Sequence, residues 1–244
     1  MTSASGLARF VIPRDHRAVH HESARRAPVR AAPVQSGPAL GGAAGERCEL
    51  CTQQLAVEHT HLVDLRTRAL VCCCRPCYFL FTPVGAGAGR YRPVPDRYRY
   101  DPAFQLTPAQ WDELSIPVGV LFVFQQRGRA LSSAAAGMTS DSDQPVAFYP
   151  SPAGATESLL SLATWARVML ANPGMADVVP GVEAVLLRRV GERFDGFLVP
   201  IDACYDLVGR VRLHWRGFGG GEEVWRQIDV FFDELTRRAG AGSV

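Results

Sequence analysis

The sequence predicts an α+β protein: a small zinc-ribbon-like cysteine module followed by a mainly antiparallel sheet packed with helices. Three observations carry this expectation. Six of the seven cysteines fall between residues 48 and 77. Beyond residue 103, apolar runs of strand length are separated by turn residues. Stretches with apolar residues at helical spacing fall between and after those runs. A chain of 244 residues has room for one sizeable core and a small appended module.

Residues 1–46 are rich in Ala, Pro, Arg and Gly and hold no sustained period, so they read as a disordered tail. Residues 47–82 form the cysteine module. Within it Leu62–Leu65 and Arg68–Val71 read as two short strands turning at Arg66-Thr67. Tyr78, Phe79, Leu80 and Phe81, directly after Cys77, are expected to cover the site or dock it. Residues 83–102 carry Pro83, Gly85, Gly87, Gly89, Pro93 and Pro95 and read as a Gly/Pro connector. Its Tyr91, Tyr98 and Tyr100 alternate with Arg92, Arg97 and Arg99, a pattern that suits a linker lying on a neighbouring surface.

Residues 103–244 form the α+β domain. Thr107 is placed to cap a short helix with Pro108 at its first position. Val118–Gln125 is a buried strand, Arg127–Asp143 a polar excursion, and Val146–Tyr149 a second strand antiparallel to the first. Pro150–Ser158 reads as a loop delivering backbone N–H groups to a helix N-terminus, an anion-site geometry, with Thr156 or Ser158 as cap. Leu159, Leu162, Ala163, Ala166 and Leu170 give the following helix its core stripe, and Asn172-Pro173-Gly174 ends it. Val182–Val190 and Phe194–Ile201 form a hairpin about Gly191-Glu192. Asp202 caps a helix that stops at Gly209, and Val211, Leu213 and Trp215 alternate with charged residues as a strand does. Gly217–Gly221 breaks the chain before a final helix, Glu222–Arg238. Val224, Ile228, Phe231, Phe232 and Leu235 face inward there, with acids in the first turn and Arg237 and Arg238 in the last.

The chemistry concentrates in the cysteines. Cys48-Glu-Leu-Cys51 and Cys74-Arg-Pro-Cys77 are two Cys-x-x-Cys knuckles with 22 residues between them. That is the spacing of a closed four-thiolate zinc site. Cys72 stands two residues before Cys74 and is expected on the same side of the strand. His59 and His61 bear the same relation to each other. Each of these three is a candidate to replace a cysteine, to support the site, or to bind a second metal. Zinc is the expected ion; iron, alone or in an iron–sulfur cluster, is the alternative, and with it redox or electron-transfer work. The remaining cysteine, Cys204, lies between Asp202 and Asp206, acids that oppose thiolate formation. It reads as a buried structural residue, so the sequence leans away from an enzyme.

All 26 basic residues counted as Lys or Arg are Arg, and the net charge is +2. Residues 1–102 carry fourteen Arg against eight acids, and residues 103–244 twelve against sixteen. The acidic back half counts against nucleic-acid binding. No signal-peptide core opens the chain, and the apolar run Val118–Phe124 is far short of the ~20 residues that cross a bilayer. The expectation is a cytoplasmic protein without membrane insertion, where clustered thiols serve as metal ligands more readily than as disulfides.

Cys48-Glu-Leu-Cys51, His59-Thr-His-Leu62, Cys72-Cys-Cys-Arg-Pro-Cys77, Tyr149–Ser158, Phe197–Tyr205 and Trp215-Arg-Gly-Phe218 together resemble a bacterial family of domains of unknown function, family 5947. The likeness runs from Cys48 to Phe232. Members are typically encoded beside nickel–iron hydrogenase genes. The resemblance therefore implies an accessory or maturation role, with a hydrogenase subunit or maturation factor as partner. It also implies that Cys73, usually a small residue in the family, is the expendable thiol. His59 and His61 gain equal standing with the knuckles, which keeps a mixed Cys/His site open.

Overall fold

A computed structural model describes residues 45–67, 69–126 and 144–241 of the chain. The predicted tail up to residue 44 and the excursion 127–143 lie outside the described residues. Two antiparallel sheets organise the rest. The smaller has the order β2-β1-β3, from β1 (Thr60–Asp64), β2 (Ala69–Cys73) and β3 (Tyr91–Pro93). The larger has the order β4-β9-β8-β5-β6-β7. Its strands are β4 (Arg99–Asp101), β5 (Val120–Gln126), β6 (Gln144–Ser151), β7 (Gly154–Ser158), β8 (Glu183–Val190) and β9 (Arg193–Pro200).

The large sheet is covered on both faces, and strand alternation decides which residue meets which layer. Val120, Phe122, Ala184, Leu186, Phe197 and Val199 face α4 (Ile201–His214) and α5 (Gly221–Ala241). Leu121, Val123, Val185, Leu187 and Leu198 face the other layer, made by α2 (Pro108–Glu113), α3 (Leu162–Ala171) and the 3-10 turn Pro173–Met175. Burial on both faces explains why the first five residues of β8, Glu183–Leu187, are buried without a break. The β8–β9 turn at Gly191-Glu192 needs the left-handed backbone of Gly191, at φ +63°. At Gly196 the ring of Phe104 lies where a side chain would begin: a Cβ there would meet it at 2.3 Å.

Several elements stand as the sequence indicates. Thr107 and Gln110 form a reciprocal capping box at α2, β5 and β6 pair antiparallel, and β8 and β9 form a hairpin. The inward stripe Val224, Ile228, Phe231, Phe232 and Leu235 of α5 is buried throughout. The segment 83–102 supplies two strands, β3 on the small sheet and β4 on the large one. Its Tyr98 and Tyr100 lie against the α4/α5 core.

Four expectations are corrected. Pro150–Ser158 is the β6–β7 hairpin, with Ser151 opposite Gly154. Its backbone groups are taken up by strand pairing, and Ser161, not Thr156 or Ser158, is the cap residue of α3. On α3 the buried residues are Thr164, Trp165 and Val168, while Leu159 and Leu170 are 91% and 82% exposed. The true inner face contains polar groups that bond to residues far away in the sequence. The Thr164 hydroxyl donates to Glu113 Oε2 at 2.7 Å, and the side-chain amide of the capping Asn172 donates to the Gln105 carbonyl at 2.8 Å. A count of apolar residues misses such a face. Third, α4 continues through Gly209 to His214, because Ile201, Cys204, Val208 and Val211 keep one helical stripe buried. Fourth, of the four residues after Cys77, Tyr78 and Phe81 pack against the cysteine cluster, whereas Phe79 and Leu80, also on α1 (Arg75–Phe81), are 56% and 65% exposed.

Asp64, buried in the β1–β2 turn, accepts from the Arg66 amide at 2.9 Å and from Arg90 Nε at 2.8 Å. The Arg90 guanidinium is the main reason its carboxyl is held down at about 2, below the ordinary 3.8. A depressed carboxyl stabilises the fold above its unfolded pKa and loses that contribution as pH falls through the folded one. Asp64→Asn is therefore expected to cost about 2 kcal/mol at neutral pH. In denaturant titrations, the gap between wild type and variant narrows as pH falls from about 4 toward 2. A gap that stays constant over that range would refute the assignment.

Candidate metal centre

The first knuckle is a tight turn. The Thr52 amide donates to the Cys48 carbonyl at 2.8 Å, and the Cys48 amide to the Gln53 carbonyl at 2.7 Å. Glu49, between the two cysteines, clamps this turn to β2. Its amide donates to the Cys72 carbonyl at 2.9 Å, and its carboxylate accepts from the Cys72 amide at 2.7 Å. The second knuckle opens α1, with Cys74 as the cap residue, Pro76 in the first turn and Cys77 buried in the helix.

These turns bring the sulfurs of Cys48, Cys51, Cys74 and Cys77 within 4.8 Å of one another. Cys51 and Cys74 Sγ are 3.6 Å apart. A tetrahedral thiolate site with metal–sulfur bonds of about 2.3 Å has an edge of about 3.8 Å, whereas a disulfide would need about 2.05 Å. All four are free thiols, with Cys51 alone exposed. Leu62, Val71 and Cys73 cover the cluster from the sheet side.

The thiols are not electrostatically alike. Burial pushes Cys48 up, but the amides of Cys74, Leu50 and Cys51 outweigh it and bring the thiol down to about 6. Burial and the neighbouring Cys74, Cys51 and Cys48 push Cys77 up. At Cys51 the Gln53 amide lowers the thiol, but hydrogen bonds with Cys48 and Cys74 leave it raised. Four sulfurs at this spacing share negative charge only with a cation among them. The donor set thus fits a thiolate-bound metal ion, and the four cysteines could bind one.

Cys72 is not part of this cluster. β2 ends at Cys73 and Cys74 has turned out of the strand to cap α1, at φ −74° and ψ 157°. The pairing of β2 thus stops before Cys74, and the two thiols fall in separate groups. Cys72 instead groups with His59 and His61 on the other face of the hairpin, where their ligand atoms lie within 4.8 Å of one another. Burial, with the charges of Glu46 and Glu49, pushes the Cys72 thiol up to about 12. Cys73 belongs to neither group: its buried thiol donates to the Thr60 carbonyl at 3.3 Å. Cys204 is buried in α4, where burial and then Asp202 raise its thiol, the opposite of an activated nucleophile.

Two contributors escape a reading by spacing. Glu49 carries no signal beyond its place between two cysteines. Asp202, in the first turn of α4, does not cap the helix; its Oδ2 lies 2.9 Å from His61 Nδ1. The β1–β2 hairpin thus has the four-thiolate cluster on one side and the His59/His61/Cys72 group, facing α4, on the other. Around the latter, Val63 and Val94 pack with Val182 and Ile201 and join the two sheets. Among the described residues, no helix is long and apolar enough to cross a membrane.

No curated protein matches the chain, and no solved structure does. A family model matches residues 47–239, from the residue before the first knuckle to near the end of α5. That span takes in both cysteine knuckles, both histidines and the whole large sheet, and the chain belongs to this family, DUF5947, a family of unknown function.

Proposed function

We propose that this protein is a non-catalytic, zinc-binding accessory or assembly protein that works with a nickel–iron hydrogenase, through one of its subunits or a maturation factor. The observation that supports it most is the contrast between the two sides of α1. On the inner side Cys77 joins a four-thiolate cluster whose ligands fill every tetrahedral position, which suits a zinc ion that holds shape. On the outer side Phe79 and Leu80 are 56% and 65% exposed, and Val84 beyond the helix is fully so. Large apolar side chains displayed on a metal-held helix suit a docking surface. The exposed Phe218, in the turn between α4 and α5, and the β6–β7 hairpin are the contact sites on the larger domain. The hydrogenase as partner rests on the resemblance of the Cys48–Phe232 run and on the gene neighbourhood it implies.

Affinity capture with the full-length protein tests the reading. Hydrogenase subunits or maturation factors are expected to co-purify with wild type, and Phe79→Asp with Leu80→Asp to weaken capture at least tenfold. No association, together with unchanged hydrogenase activity after deletion of the gene, would end the proposal. Metal analysis of the same preparation separates a colourless zinc protein from an iron protein with visible absorbance. Iron would favour an electron-transfer role.

A further inference from the structure

On the α4 side of the hairpin, two buried polar atoms have no hydrogen-bond partner: His59 Nε2 and Asp202 Oδ1. Their surroundings determine where the ring protons sit. His59 Nδ1 faces the Ala56 carbonyl at 3.1 Å. A carbonyl can only accept, so the proton of a neutral ring is on Nδ1 and Nε2 carries a bare lone pair. His61 Nδ1 faces Asp202 Oδ2 at 2.9 Å, which places its lone pair on Nε2 by the same reasoning.

In their neutral form both imidazoles therefore present an unprotonated nitrogen, and Cys72, the cross-strand partner of His61, completes the group. Their ligand atoms lie within 4.8 Å of one another. The His59 side chain is only 9% exposed. The Glu46 carboxylate stands 3.7 Å from its Nε2, too far for a hydrogen bond. Behind His61, Asp202 makes the carboxylate–histidine arrangement that orients metal-bound imidazoles and raises their basicity.

We propose that His59, His61 and Cys72 form a second metal site, with Asp202 as the positioning residue for His61. It is distinct from the four-thiolate cluster and does not depend on the partner assigned above. Two imidazoles and one thiolate select a late first-row divalent ion such as zinc, cobalt or nickel over the hard ions calcium and magnesium. Three protein ligands leave one tetrahedral position for water or an exchangeable ligand, so this site is open where the four-thiolate cluster is closed. It also links the modules, because its three ligands stand on or beside β1 and β2 while Asp202 belongs to α4.

The test uses the full-length protein with one zinc in the four-thiolate site, titrated with Co²⁺ while both metals are counted and the visible spectrum is followed. A second equivalent is expected, with a thiolate-to-cobalt charge-transfer band. Cys72→Ser should remove the band, and His59→Ala should remove the second equivalent while the first zinc stays. Asp202→Asn, which keeps the side-chain shape, should weaken the second equivalent about 10–100-fold. Wild-type protein that takes up no metal beyond one equivalent, or exchanges zinc for cobalt one for one, would overturn the proposal without recourse to any variant. So would a second equivalent that persists in both His59→Ala and Cys72→Ser.

Discussion

Removing the metal from the four-thiolate site, by Cys48→Ser or by a strong chelator, is expected to unfold the first knuckle and α1 while the six-stranded sheet survives. Residues 47–57 are held mainly by a few hydrogen bonds, among them those of Glu49 with Cys72 and the isolated bridge of Arg47 with Gln54, and Thr52 sits in a left-handed conformation at φ +66°. The buried residues of this cluster are Leu62, Val71 and four cysteines, too small a core to stabilise such a segment alone. Metal binding to structural cysteine sites is worth on the order of 10–16 kcal/mol, and an ion held by these four thiols would contribute most of that as folding free energy. The large sheet has its own two cores, so its loss is not expected. Amide hydrogen exchange distinguishes the regions. Protection at Thr52 and Tyr78, whose amides bond to the carbonyls of Cys48 and Cys74, should vanish, while β8 and β9 stay protected. Cys73→Ser should leave the metal bound. A metal-free protein with both turns still protected would show that packing alone holds them.

The second large effect lies at the join between the two sheets. Glu183 is fully buried at the start of β8. Its Oε1 accepts from Arg97 Nε at 2.8 Å, and its Oε2 accepts from a terminal Arg97 nitrogen at 2.6 Å and from the Val179 amide at 2.8 Å. Arg97 stands between β3 and β4 and also donates to Asp177 Oδ2 at 2.8 Å. Arg97→Ala leaves a carboxylate buried without its counter-charge, and the expected cost is about 3–5 kcal/mol. Arg97→Met combined with Glu183→Gln should recover part of that loss, because the double variant removes the unpaired charge along with the pair. Denaturant midpoints of the single and double variants measure this directly. An Arg97→Ala cost below about 1 kcal/mol would place the pair with ordinary surface bridges.

Much of the fold was legible because its signals are local. A capping threonine followed by a proline set the start of α2. A glycine between two apolar runs set the β8–β9 turn, and a helical stripe of five apolar residues set the inner face of α5. The four-thiolate cluster was legible for the same reason: each knuckle is a tight turn, and only the meeting of two knuckles is long-range. The face of α3 was not, because its buried positions include Thr164 and Asn172, polar residues that hydropathy assigns to solvent.

By itself the sequence determined the donor chemistry, four thiols in two knuckles, and the period of the elements with a clear apolar pattern, such as β5, β8 and α5. Tertiary structure alone decided which partner each face meets. Alternation puts His61 and Cys72 on one side of their strands, yet only the register of β1 on β2 makes them neighbours. It is the packing of the hairpin on α4 that brings Asp202 to His61 across 141 residues. Cys72 and Cys74, two residues apart, part company where β2 ends at Cys73 and α1 begins at Arg75. Contacts of that kind are set by how layers stack and close. A periodicity read along the chain says which way a side chain faces but carries no information about what arrives opposite it.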